Sequence, residues 1–172
     1  MDQWMATDFT RERILNADAT TVSVGYYEGG VYNNYWVLIF SYPENSHTED
    51  YRQEVLNLVN AQRAKYGLTA LEMGDDALTA AAQTRAEEIS VVNSHVRPDG
   101  SKCFTVLKDY GVTDTPTGEN AAWGSVSPEE VVNAWMNSEG HRANILNPEA
   151  RKMSVGYYYN SNSTWGHQWI QI

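Results

Sequence analysis

The sequence predicts an α+β layered domain over residues 50–172, preceded by a copy of that domain's own C-terminal half. Two observations predict this organisation. Residues 50–172 show helical periodicity first and strand-like alternation only toward the end, without the regular helix–strand alternation of an α/β fold. The N-terminal segment repeats the end of the chain at a fixed offset of 131 residues.

The repeat is visible when residues 4–27 are aligned with residues 135–158. Of these 24 positions 12 are identical, whereas ordinary composition gives about one or two matches by chance. In the first copy these positions are Trp4, Met5, Arg11, Ile14, Leu15, Asn16, Ala19, Ser23, Val24, Gly25, Tyr26 and Tyr27. Residues 36–39 also match residues 169–172 if two residues are inserted in the later copy.

The domain organisation follows from this repeat. We interpret residues 1–42 as the back half of a domain whose front half is missing, residues 43–49 as a linker, and residues 50–172 as the complete copy. Two such modules in tandem have a period near 131 residues, so the chain looks like an excerpt from an array.

Helical spacing of apolar side chains predicts the first three elements of the complete copy. These helices cover residues 50–66, 76–90 and 101–110, with Gly67 and Gly111 directly after the first and third. Glycine at these points is typical of a helix C-terminus, because it adopts the left-handed conformation at low cost. The first part of the domain is therefore expected to be helical.

A fourth helix has the best-defined start in the chain. Ser127 caps it, Pro128 occupies its first position and Glu130 reaches back, and the helix continues through Trp135. After it the pattern changes to strands, predicted over residues 153–159 and 165–172 and joined by a turn. A shorter strand is predicted near residues 120–123.

Composition and charge exclude some partners. The chain has 22 acidic and 12 basic residues and a formal net charge of -10, which argues against nucleic acid or an anionic membrane, because phosphates are bound by clustered Lys and Arg. No apolar run approaches the roughly 18 residues of a membrane span. Cys103 is the single cysteine, and we interpret it as a small core residue.

Three polar segments are candidates for chemistry: residues 94–100, 118–123 and 135–146. Two neutral imidazoles from these segments can share a divalent metal ion, with carboxylates orienting them. The same groups can instead form an acid–base pair around a bound water. Because the residues lie on separate elements, their spacing does not choose between these two arrangements.

The order of the motifs resembles the CAP superfamily of cysteine-rich secretory, antigen 5 and pathogenesis-related proteins. A histidine is followed by Gly-Glu-Asn, then by Trp-x-x-Ser-Glu-Gly-His-Arg-x-Asn-Ile-Leu, and finally by Val-Gly-Tyr-Tyr and a Trp-containing strand. The chain is most similar to the disulfide-free bacterial, SCP-like extracellular members. The resemblance covers residues 50–172 fully and residues 3–42 as a half copy, and it implies a three-layer α-β-α sandwich.

Carried over by position, the superfamily's cleft residues are His95, Glu119, Glu139 and His141. The resemblance implies that the two histidines hold a weakly bound divalent ion, zinc or similar, with both glutamates flanking them. These four residues are also the candidates for any catalysis. The half copy has Thr10 at the position of His141 and Asp8 at that of Glu139, which indicates that the imidazole is not needed for folding. We interpret His167, on the last strand, as a structural residue.

The function expected from the resemblance is an extracellular binding or interaction module, secreted or at the cell surface, for an unidentified ligand or protein. The alternative is a metal-assisted hydrolase acting on peptide, cell-wall or ester substrates, and a third is a structural spacer. No Ser-His-Asp set or H-E-x-x-H motif is present. We expect a signal peptide upstream of Met1 in the full-length parent.

Residues 1–42 carry an expectation of their own. Two strands and part of a helix cannot bury the apolar run at residues 37–40 by themselves. We therefore expect this segment to dock on its own domain or to associate with another chain.

Overall fold

The computed structural model describes residues 2–7, 10–11, 14–15, 21–41 and 48–172. The chain divides into two compact units, Met1–Ser46 and His47–Ile172, which are called the N-terminal and C-terminal units below. Most of the linker predicted at residues 43–49 lies outside the described residues, and so does Asp8.

The N-terminal unit contains a short helix α1 (Asp2–Met5) and an antiparallel hairpin of β1 (Thr21–Glu28) and β2 (Asn34–Ser41). Both hairpin faces leave large apolar side chains exposed to solvent. In a folded domain such faces are normally covered, so this hairpin lacks the packing that usually stabilises a two-stranded sheet.

In the C-terminal unit, helices come first and most strands last. In chain order the elements are α2 (Thr48–Lys65), β3 (Glu72–Met73), α3 (Asp76–Ile89), a 3₁₀ turn (Cys103–Thr105), α4 (Val106–Asp109), β4 (Asn120–Trp123), α5 (Pro128–Asn137), α6 (Glu139–Ile145), β5 (Lys152–Met153), β6 (Val155–Asn160) and β7 (Gly166–Gln171). The strands β4, β7 and β6 form an antiparallel sheet in that order, and β3 pairs with β5 in parallel.

Helices cover both faces of the three-stranded sheet. On one face, α2, α5 and α6 contribute Val55, Val59, Trp135 and Ile145 to a core that includes Trp169 of β7. On the opposite face, alanines of α3 pack against β4 and β7. This is a three-layer α-β-α arrangement of an α+β domain.

Close contact between α3 and the sheet depends on Gly156 in β6. A Cβ atom added at this position would lie 2.0 Å from the carbonyl oxygen of Ala82 in α3. The helix backbone therefore rests directly on the strand, and only glycine leaves enough room for it.

The predicted helices agree with the structure, apart from the third. The first and second match α2 and α3 within two residues, and Ser127 caps α5 by accepting a hydrogen bond from the backbone N–H of Glu130. The third is divided into a 3₁₀ turn and the one-turn helix α4.

Arg142 and Asn144, in the third polar segment, lie in helix α6. Gly140 is the second residue of this helix, where a backbone N–H needs no intrahelical partner. Arg142 satisfies a backbone group, since its Nη1 donates to the carbonyl of Met136.

The two hairpins have the same register. Gly25 pairs with Val37 and Tyr26 with Trp36, as Gly156 pairs with Ile170 and Tyr157 with Trp169. The two-residue difference between the copies falls at the turn end of the hairpin, where the later copy has one more pair, Asn160 with Gly166.

No helix in the described parts of the chain is both long enough and apolar enough to cross a membrane.

Candidate functional site

Glu119 is the buried anchor of the candidate site. Its side chain is 1% exposed and forms an ion pair with the fully buried Arg85 of α3. Arg85 Nε donates to Oε2 at 2.9 Å and Nη2 donates to Oε1 at 3.2 Å. This two-point contact fixes the plane of the carboxylate and compensates its charge inside the protein.

His95 is oriented by this carboxylate. Its Nδ1 lies 2.8 Å from Glu119 Oε1. A carboxylate paired with arginine only accepts hydrogen bonds, so the proton of the neutral imidazole lies on Nδ1 and the lone pair on Nε2. The His95 side chain is 53% exposed, which leaves the ring accessible from solvent.

The segment Gly118-Glu119-Asn120 also fixes the helix that carries His141. Asn120 Nδ2 donates to the carbonyl of His141 at 3.1 Å, and Asn144 Nδ2 donates to Asn120 Oδ1 at 2.8 Å. A Cβ atom added at Gly118 would lie 2.5 Å from Asn144 Cγ. The glycine therefore makes room for the amide contacts that hold α6 beside Glu119.

His141 lies on α6 and is partly buried. Burial lowers the pKa of its imidazole, and the nearby positive charge of protonated His95 lowers that pKa further. A lowered histidine pKa keeps the ring neutral at pH 7, which is the form that ligates metal ions.

Glu139 is the first residue of α6 and is exposed. Within the described residues, no hydrogen bond or ion pair joins Glu139 to His95 or His141. The structure thus places His95 against Glu119 and leaves His141 near enough for the charge of His95 to act on its pKa. Glu139 precedes His141 by two residues and has no such contact with either histidine.

His167 belongs to an aromatic cluster on the sheet. The Tyr157 hydroxyl lies 2.9 Å from His167 Nδ1, and the ring centroid of Tyr159 lies 4.9 Å from that of His167. Burial lowers the pKa of His167. These contacts fit the structural role expected from the sequence.

Cys103 is a third donor beside His95 and Glu119, and one ligand atom from each of the three residues lies within 4.8 Å of the others. Burial raises the pKa of the thiol, and the Glu119 carboxylate raises it further. A protonated thiol is a poor ligand and a poor nucleophile. The thiol is therefore the weakest donor of this trio at pH 7.

Comparison with known proteins identifies the family. Residues 56–171 match the family described as CAP, the cysteine-rich secretory protein family. The chain belongs to this CAP family. The family had been inferred from the histidine, Gly-Glu-Asn and Trp-to-Leu motifs, and that inference is confirmed.

Two CAP relatives come from Bacillus subtilis (strain 168). The uncharacterized protein YkwD is 42% identical over 122 residues, which are 70% of this chain and 47% of that protein. The uncharacterized membrane protein YlbC is 33% identical over 115 residues, which are 64% of this chain and 33% of that protein. The chain thus spans half or less of the length of the curated relatives it matches.

Solved structures share the CAP fold. An extracellular protein with an SCP domain from Bacillus anthracis str. Ames has a TM-score of 0.64 at 24% identity, covering 79% of this chain and 45% of that one. An outer surface protein from Borrelia burgdorferi has a TM-score of 0.64 at 22% identity, covering 75% of this chain and 94% of that one.

Two residues of the CAP site were missed as functional candidates in the sequence. Arg85 lies within the second predicted helix and Asn120 within the Gly-Glu-Asn motif, and neither is among the four candidates. An arginine on the alanine-rich, core-facing side of a helix indicates a buried ion pair, because a buried guanidinium needs a carboxylate partner. The partner's identity, however, depends on tertiary packing.

A cavity of about 190 Å³ lies elsewhere in the CAP domain. It is lined by both apolar and charged side chains, among them Leu78, Asp114, Arg151 and Lys152. None of the four candidate residues lines it.

Proposed function

We propose that this CAP domain is a binding module whose cleft holds a divalent ion such as zinc through the imidazoles of His95 and His141. The observation that carries the proposal is the 2.8 Å contact between His95 Nδ1 and Glu119. That contact leaves the lone pair of His95 Nε2 available to a metal ion. The lowered pKa of His141 supplies a second neutral imidazole.

The donor chemistry fits such an ion. Two imidazoles suit zinc and related transition metals, and a carboxylate bonded to the second ring nitrogen is the usual partner of a metal-binding histidine. A bound ion would add positive charge that attracts ligand oxygen atoms. Two protein ligands make an open site, so we expect weaker binding than at a closed four-ligand zinc site.

We favour binding over metal-assisted hydrolysis. A hydrolase acting on peptide, cell-wall or ester substrates needs a second acid–base group close to the imidazoles. Glu139 is the candidate for that role, and it is exposed without a described contact to either ring.

We propose that the domain works outside the cytoplasm, secreted or at the cell surface. Support comes from what two structural relatives are called: one is an extracellular protein and the other an outer surface protein. The absence of paired cysteines agrees with the disulfide-free bacterial branch.

We further propose that the N-terminal unit is the C-terminal half of a second CAP-type repeat. The shared hairpin register supports this proposal. So does a side-chain contact: Arg11 Nη1 donates to the carbonyl of Met5 at 3.2 Å, as Arg142 Nη1 donates to that of Met136 at 2.8 Å.

Zinc titration by calorimetry tests the metal proposal. We expect His95→Ala with His141→Ala to abolish measurable binding, whereas the matched control His167→Ala leaves the affinity unchanged. Glu119→Gln should weaken binding about 10- to 100-fold, because it removes the carboxylate that orients His95. Equal zinc affinity in the wild type and the double variant would contradict the proposal.

The same titration has a pH arm. Protons compete with the metal for the imidazoles, so affinity should fall as the pH drops, and burial moves the contribution of His141 to that fall below the ordinary imidazole pKa of about 6.5. Affinity that is independent of pH between about 7.5 and 5.5 would argue for ligands other than histidine.

A further inference from the structure

The N-terminal unit has an apolar cavity where the C-terminal unit has a filled core. The cavity measures about 270 Å³, and its lining includes Trp4, Ile14 and Trp36. In the repeat alignment these residues correspond to Trp135, Ile145 and Trp169, which are fully buried. The two tryptophan side chains and the isoleucine are thus retained, while their surroundings differ.

In the C-terminal unit, other elements fill that space. Val55, Leu56 and Val59 of α2 and Ala122 of β4 belong to the same core cluster as the two tryptophans and the isoleucine. The cavity of the N-terminal unit therefore has the position that an α2-like helix and a β4-like strand occupy in the complete domain.

The opposite face of the hairpin shows the same relation. Gly25 corresponds to Gly156, against which the backbone of α3 packs. At Gly25 an added Cβ atom would meet nothing closer than Val37 at 3.8 Å. Val37 is 55% exposed, whereas its counterpart Ile170 is fully buried. The N-terminal unit therefore has a glycine at the position where a helix can pack, and the Val37 side chain beside that glycine is exposed to solvent.

The outer edge of β1 corresponds to the outer edge of β6, and the comparison of these two edges gives a third observation. In the C-terminal unit, Gln83 of α3 bonds both the N–H and the carbonyl of Tyr157, and Arg52 of α2 donates to the carbonyl of Val155 at 3.0 Å. The counterparts are Tyr26 and Val24 in β1. Within the described part of the chain, β1 pairs with β2 alone, so its other edge carries no strand.

We propose that the N-terminal unit binds the helical half of a CAP-type domain, a polypeptide with the pattern of residues 48–126. Its first helix fills the cavity beside Trp4 and Trp36, its second packs on the face of Gly25, and its short strand extends the sheet along β2. This inference rests on the proposal that residues 1–46 are half of a repeat.

The test uses the full chain and a separately made polypeptide of residues 48–126 as the probe. Binding is followed by hydrogen exchange of the β1 and β2 amides. We expect the probe to slow exchange in β1 and β2 at least about 10-fold. The C-terminal unit should not respond, because its own strands are already covered.

Matched variants locate the interaction. Gly25→Val in the full chain should abolish the protection, since the added side chain occupies the helix contact, whereas Val31→Ala in the exposed turn should leave it unchanged. A probe with Ala82→Leu should also fail to protect, because the leucine prevents close approach to the glycine. This second variant leaves the hairpin itself untouched.

Three outcomes would overturn the inference. They are no protection with the intact probe, protection that survives Gly25→Val, and protection of both strands without probe in a self-associated chain. The half-repeat proposal is judged separately by the register of β1 and β2 in nuclear magnetic resonance spectra. An intact register without probe binding would refute the docking alone.

Discussion

At the scale of single residues, Glu119 has two roles, because its carboxylate accepts hydrogen bonds from both Arg85 and His95. Replacing it with glutamine removes one of the two carboxylates that compensate the buried guanidinium and leaves only Glu88. We expect Glu119→Gln to lower the free energy of unfolding by about 3 kcal/mol. The measurement is urea denaturation followed by circular dichroism.

Glu139, the other candidate glutamate, offers a matched control for Glu119→Gln. Glu139→Gln removes an exposed carboxylate without a described partner, and we expect a change below about 0.5 kcal/mol. If the two variants lose similar amounts of unfolding free energy, the burial of the Arg85–Glu119 pair does not determine how much that pair contributes to stability.

The lowered pKa of His167 should contribute to the pH dependence of the free energy of unfolding. Burial lowers its folded-state pKa, although the Glu130 carboxylate partly opposes this shift. The unfolded chain therefore takes up a proton first, at about pH 6.5, and stability falls as the pH drops below that value. We expect His167→Gln to make this fall shallower between about pH 7 and 5 and to leave the pH dependence above that range unaltered. Parallel curves for the two proteins would contradict this expectation.

The candidate residues differ in how far the sequence alone reveals them. His95, Glu119 and His141 were named because their motifs occur in a recognisable order. Arg85 and Cys103 reach the same place from α3 and from the 3₁₀ turn, and no local pattern indicates that proximity. Their contacts with Glu119 arise from tertiary packing, and the spacing of residues along the sequence does not reveal such contacts.

At the scale of elements, Gly156 sets the distance between α3 and the sheet. Gly156→Ala would place a methyl group 2.0 Å from the Ala82 carbonyl. Since the obstacle is backbone, the helix must move, and we expect a loss of about 3 kcal/mol or more. Thermal unfolding of the C-terminal unit measures this loss. Gly25→Ala is the matched control and should leave that transition unchanged.

The elements themselves were largely predictable. Ser127 and Pro128 mark the start of α5 by local chemistry, so its prediction did not depend on the rest of the fold. Helix α6 was missed because Gly140 has a low helix propensity, and its packing against the core through Ile145 outweighs that cost. The paired strands β3 and β5 have two residues each, too few for alternation to be visible.

At the scale of the whole molecule, the two units differ in how they are stabilised. Each of the three hydrophobic clusters of the described structure draws its buried members from residues 55–170. We therefore expect a chain of residues 47–172 to unfold within about 2 °C of the full chain. It should also be more soluble, because the exposed apolar hairpin is removed. Calorimetry and light scattering measure the two effects, and loss of folding in the shorter chain would contradict the first.

The shared register of the two hairpins has a consequence for folding kinetics. While the chain refolds, α2 and α3 meet two hairpins that offer the same tryptophan and the same glycine at equivalent positions. We expect some molecules to pack these helices on residues 21–41 first, and these molecules must release them before residues 155–171 can dock. Stopped-flow refolding of the full chain should then show a slow phase that is absent from residues 47–172 and is suppressed by Gly25→Val. The hairpin of residues 21–41 should thus compete, for a time, with the one that completes the domain.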